Sequence, residues 1–165
     1  MSAIGAAALL AVAQHLYPGE DRLLRGLFFA DLRPYVRPRP APHDLGAYFA
    51  MMPLTVGVEP ARGFWPLAGE VHERSYAALK RGDKLAAPLL APTLMRTLLR
   101  SGRDRMAATG ISYTGPVRLA ASYGTTRLLA LHAFVSNIDL GPELSAQVRL
   151  HDGRLTWDFA YLASD

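Results

Sequence analysis

Hydrophobic positions follow several distinct rhythms along this chain, and each rhythm names an element. Residues 3–16 are apolar nearly all round, the pattern of a helix buried on most of its sides, and Tyr17-Pro18-Gly19 stops it. Residues 22–30 carry the run LFFA with no polar alternation, which predicts a strand covered on both faces. The run closes on Asp31-Leu32-Arg33. Residues two apart in an extended chain share a side, so Asp31 and Arg33 are expected to lie together at the strand's exit. A second apolar stretch, residues 45–57, predicts another strand. Pro53 has no N–H to give a ladder and marks an edge, a bulge or an end of pairing there.

Helical spacing takes over next. Residues 64–81 place Phe64, Ala68, Val71 and Leu79 near one face, and Gly82 stands where a C-terminal cap would. Residues 85–101 repeat the plan with Leu90, Leu94 and Leu98, closed by Gly102, while Pro88 and Pro92 constrain the early turns. From residue 108 the pattern predicts strands at 109–113, 116–122, 127–136, 144–150 and 154–161. Asp152-Gly153 is a type I′ turn signal. It pairs Leu150 with Leu155, Val148 with Trp157, Ala146 with Phe159 and Leu144 with Tyr161. These apolar residues form one face, expected to be core. Ser145, Gln147, Arg149, Thr156 and Asp158 fall on the other, expected to be wet.

Composition narrows the class. At 165 residues, half of them hydrophobic and 19% charged, the chain suits one folded domain, residues 1–165. With no cysteine, disulfides and thiolate chemistry are excluded. The run ending Ala11-Val12-Ala13 looks like a signal peptide, but no Lys or Arg precedes it, and it is too short to span a bilayer. A cytoplasmic protein with no membrane span is the expectation. A formal net charge of +4 is a mild surplus that also suits an acidic partner.

Catalytic signatures are scarce. G-x-S-x-G, a P-loop, G-x-G-x-x-G and H-E-x-x-H are all missing. His15, His43, His72, His132 and His151 are scattered, which disfavours a metal site. Alternation puts His132 on the same face as Leu128, Ala130 and Phe134; it reads as a hydrogen-bonded core or cleft-edge histidine before it reads as a general base. Asp31 and Arg33 read as a structural ion pair. Residues 33–42, with four prolines and three arginines, read as a stiff connector or a basic docking loop. Arg96, Arg100, Arg103 and Arg105 form a basic cluster, either a solvated face or a site for an acidic partner. No aromatic residues interleave with it, so nucleic acid is not expected.

The order of parts resembles a known family. An apolar helix precedes a strand ending F-x-A-D-L-R (Phe29–Arg33) and an L-G-x-Y strand (Leu45–Tyr48). A helix beginning F-W-P-L-A, the G-I-S-Y-T-G-P-V segment (Gly110–Val117) and a final hairpin follow. This resembles the C-terminal lobe of acyltransferases of the chloramphenicol-acetyltransferase-like superfamily, which includes phthiocerol dimycocerosyl transferases, alcohol acetyltransferases and condensation domains. The resemblance implies an α/β two-layer sandwich, with a mixed, largely antiparallel sheet and helices on one face. It also implies acyl transfer, in polyketide or lipid biosynthesis, from coenzyme A or a carrier protein's phosphopantetheine thioester to a hydroxyl or amine. The family's general base lies in an H-H-x-x-x-D motif of the first lobe, which this chain lacks, so no catalytic residue carries over. Tyr48, Ala50, Met52, His132, Phe134 and Ser136 become candidate tunnel-lining residues, and Arg96, Arg100 and Arg103 candidate carrier-docking residues. Expected partners are a separate first lobe or a second copy of the chain, and an acyl carrier protein. A binding scaffold without catalysis, for a carrier protein or a lipid, is the alternative.

Overall fold

A computed structural model describes residues 2–16, 22–59, 61–101, 106–135 and 141–161. The elements run α1 (Ser2–Leu16), β1 (Arg22–Asp31), β2 (Phe49–Val58), α2 (Phe64–Arg81), α3 (Asp83–Ser101) and β3 (Thr109–Pro116). Then come β4 (Ser122–Tyr123), β5 (Thr126–Arg127), β6 (Leu144–His151) and β7 (Arg154–Tyr161). Five strands form one mixed sheet in the order β2-β1-β3-β6-β7, and β4 pairs only with β5. The outer pairs β1–β2 and β6–β7 are antiparallel; β3 is parallel to β1 and to β6. The fold is the expected α/β sandwich, with α1 and α2 on one face of the sheet.

The core lies between those helices and that face. Alternation puts Leu24, Phe28 and Ala30 of β1, Met52 and Val56 of β2, Ile111 of β3, and Ala146 and Val148 of β6 beneath Ala6, Leu9, Leu10 and Val71. Helix α1 approaches the sheet closely at Gly5, where a Cβ would stand 2.7 Å from the Trp157 ring. Its outward side stays in solvent, with Ile4 and Val12 exposed. The α2 helix ends at Gly82, whose φ of 89° is left-handed and whose N–H caps the Ala78 and Leu79 carbonyls. The same glycine lets α3 begin at once, two residues before the predicted start. Pro88 and Pro92 lie inside α3, and Leu85, Leu89, Leu90, Leu94 and Leu99 are all exposed.

The hairpin register is the one read from the sequence, Leu144↔Tyr161 through Leu150↔Leu155. Asp152 and Gly153 both take positive φ, 47° and 72°, as a type I′ turn needs. The face expected to be core is core at Ala146 and Val148, with Leu144 and Trp157 packed against them, while Phe159 and Tyr161 at its far end are exposed. The face expected to be wet was assigned wrongly: Ser145, Arg149 and Asp158 are buried there. Residues 128–135 cover the polar face, and α1 does not reach over the end of β7. Two predicted strands are largely replaced. Of residues 116–122 only Pro116 pairs in the main sheet, opposite Leu150, and Ser122 belongs to β4. Residues 128–135 join no ladder and give their backbone to side chains instead: the Arg149 guanidinium donates to the Leu131 carbonyl and the Ala133 N–H donates to Asp158; residue 136 lies outside the described residues.

The first strand was also expected to be covered on both faces. Among the residues of β1 facing away from the helices, Leu27 is buried, but Leu23 is 78% exposed and Phe29 is half-exposed. The second strand begins at Phe49, leaving Leu45 in the connector and exposed. As an edge strand, β2 turns the Thr55 and Gly57 carbonyls outward, where Arg74 and Arg62 donate to them. Glu70 pairs with both arginines, with 2.6 Å to Arg74. The edge is thereby occupied instead of left as a template for another strand.

Candidate functional site

Where β1 leaves the sheet, the chain must turn before the connector reaches β2. Asp31 makes that turn by accepting the Arg33 backbone N–H at 3.0 Å. The Arg33 guanidinium lies 4.0 Å from the same carboxylate and 5.0 Å from the centre of the Tyr48 ring. Both charges are well exposed, so the backbone bond holds the turn and the ion pair adds little.

Beside this turn, α2 and the start of α3 stand away from the strand ends and leave an open groove of about 570 Å³. Phe28, Ala30, Met52 and Leu79 form its apolar floor, and Tyr35 and Tyr76 its walls. Lys80 and Lys84, at the α2–α3 junction, bring their ammonium groups to the lip. Lys80 Nζ sits 4.6 Å from the Tyr76 ring centre and Lys84 Nζ 3.9 Å from that of Tyr35. Both fall within cation–π range. Asp31 lies on the same groove. A volume in the range of small-molecule sites, an apolar floor and a few placed charges are the attributes of a ligand site.

The second polar cluster sits at the other end of the sheet. Asp158 of β7 accepts a hydrogen bond from His132 Nδ1 at 2.7 Å and from the Ala133 N–H at 2.9 Å, and pairs with Arg149 at 3.2 Å. The His132 hydrogen bond is the largest influence holding the Asp158 carboxyl below its ordinary value, against burial. The Ala133 N–H and the positive charges of His132 and Arg149 act the same way. Asp158 and Arg149 are buried, whereas the His132 ring is half-exposed. The cluster pins residues 128–135 across the sheet. It orients the imidazole without opening onto the groove.

The structure thus divides the six tunnel-lining candidates. Met52 lines the groove and Ala50 is buried two residues away, on the same side of β2. Tyr48 flanks the strand entrance, its carbonyl accepting the Leu32 N–H. His132 and Phe134 lie on the opposite face of the sheet over β6 and β7, and Ser136 is outside the described residues. Arg96 and Arg100 are exposed on α3, and Arg103 and Arg105 are outside the described residues. Among the described residues no three His, Asp or Glu side chains converge on a metal position. Sequence reasoning missed Tyr35, Tyr76, Lys80, Lys84 and Asp158. The spacing of four between Tyr76 and Lys80 within α2 was a usable signal; nothing local marked Tyr35, or Lys84 beyond the Gly82 break.

No family model matches the sequence, and no curated protein does. Solved structures do. The chain is similar to the starter condensation domain of the rhizomide synthetase RzmA. Against a doubly substituted form the TM-score is 0.61 at 18% identity, covering 98% of this chain and 35% of that one. The unsubstituted domain matches with a TM-score of 0.53 at 17% identity, over 97% and 34%. Polyketide synthase associated protein 5 from Mycobacterium tuberculosis matches 49% of the chain with a TM-score of 0.44, too low to carry weight. The chain has a condensation-domain-like fold and spans about a third of the length of the condensation domains it matches. No helix among the described residues is long and apolar enough to cross a membrane.

Proposed function

We propose that this chain is the second lobe of an acyltransferase, which transfers an acyl group from a coenzyme A or carrier-protein thioester to a hydroxyl or amine when joined by a first lobe. The observation that carries the reading is the match of nearly the whole chain to one third of a condensation domain. In that family the general base belongs to the first lobe's H-H-x-x-x-D motif, and this chain contains no such motif. Its part is to wall the tunnel and hold the acyl donor, with the groove over Met52 as the wall. The apolar side chains left in solvent support a partner lobe: Leu23, Phe29 and Phe49 on the open sheet face and the leucines of α3. A second copy of the chain is the competing occupant. An acyl carrier protein would approach Arg96 and Arg100.

Acyl transfer from a thioester to an alcohol, assayed with and without a first-lobe chain bearing H-H-x-x-x-D, tests the proposal. Turnover only in the mixture is expected. Turnover by this chain alone, or none in a mixture shown to associate, overturns it. A binding scaffold without catalysis is favoured by the groove itself, which is formed within this chain.

A further inference from the structure

We infer that the groove between the end of β1 and the α2–α3 junction binds a medium- or long-chain alkyl carboxylate, with the chain on the Phe28–Met52 floor and the carboxylate between Lys80 and Lys84. This deepens the proposed function by naming a ligand class for its site, and rests on that reading only for the site's place in an acyl-handling protein.

Three observations converge. The floor is apolar: Phe28, Ala30, Met52 and Leu79 offer no hydroxyl, amide or charged group, so the ligand body there must be apolar. The lip is charged and ordered. Each lysine ammonium rests on a tyrosine ring, and among the described residues neither has a carboxylate within ion-pair distance. Two stacked, unneutralised ammonium groups at the mouth of an apolar groove are prepared for an anionic head. The charge count then selects the head. The groove's lining holds Lys80, Lys84 and one carboxylate, Asp31, beyond ion-pair reach of either lysine; the surplus of one positive charge matches a monoanion better than a dianionic phosphate. Asp31 itself accepts the Arg33 N–H, which turns part of its charge away.

The test is calorimetric titration of this chain alone with tetradecanoate, tetradecan-1-ol and tetradecyl phosphate, each below its aggregation concentration. Tetradecanoate is expected to bind about tenfold more tightly than the alcohol, the scale of a charge-assisted contact. The double substitution Lys80→Gln/Lys84→Gln should bring the carboxylate to the alcohol's affinity and leave the alcohol unchanged. Ser75→Trp, which projects bulk into the groove from a half-buried position, should weaken both. Equal binding of acid and alcohol, no saturable binding, or a double variant that keeps the preference overturns the inference, as does tighter binding of the phosphate. Circular dichroism confirms that each variant folds. Binding needs no partner lobe, so the failure of acyl transfer and the failure of this groove are read in separate experiments.

Discussion

Removing the Asp158 carboxylate is expected to destabilise the protein more than any other change to its polar side chains. Asp158 and Arg149 side chains are 5% and 7% exposed, so each charge has given up most of its water. Their 3.2 Å contact, with the His132 and Ala133 hydrogen bonds, compensates that loss. Asp158→Ala leaves the guanidinium with the Leu131 carbonyl at 3.1 Å, a partner that satisfies a donor but carries no charge. Breaking a buried pair from one side costs about 3–5 kcal/mol, and the orphaned Ala133 amide adds about 1 kcal/mol or more. Asp158→Asn keeps an acceptor and should cost less. Arg149→Met/Asp158→Leu removes both charges and should cost less than the sum of the single changes. Urea unfolding followed by circular dichroism gives the midpoint and slope for each variant. A loss under about 1 kcal/mol for Asp158→Ala, or strict additivity in the cycle, would refute the claim that the pair holds residues 128–135 on the sheet. The pH response follows from the same geometry. The folded carboxyl titrates below its unfolded value, so its stabilisation is complete above about pH 4 and is lost as pH falls through the depressed folded value. Asp158→Asn should flatten that acid limb.

Other outcomes follow from packing. Gly5→Ala gains helix propensity worth about 1 kcal/mol, but its methyl meets Ile111 and Trp157; net destabilisation of about 1–2 kcal/mol is expected from overpacking, and a raised melting temperature contradicts the tight α1–sheet contact. Glu70→Ala frees Arg62 and Arg74 from their shared partner and should cost about 1 kcal/mol at low salt, less at high salt because these groups are partly solvated. A salt-independent loss would place the effect elsewhere. Phe29 and Phe49 form an exposed edge-to-face pair at 5.7 Å; changing both to Ser should lower binding of a hydrophobic dye and weaken any first-lobe association, with little change in stability. Unchanged dye fluorescence would count against this face as the open apolar surface.

Local pattern determined a large share of this protein. The β6–β7 register followed from Asp152-Gly153 and period-two alternation, because a two-residue turn with positive φ admits few pairings. Gly82 set the end of α2 for a similarly local reason, and the order of elements was enough to point to the condensation-domain-like fold. Tertiary structure decided which faces are wet. Alternation separates two sides of a strand but does not say what covers each, so Arg149 and Asp158 read as solvent-facing until residues 128–135 were seen lying over them. The same limit separated His132 from Met52, which lie on opposite faces of one sheet. The groove arose from neither motif nor spacing alone. It needed Tyr35 from the connector and Lys84 from α3, nearly fifty residues apart in sequence, brought to one strand end by the packing of α2 against the sheet.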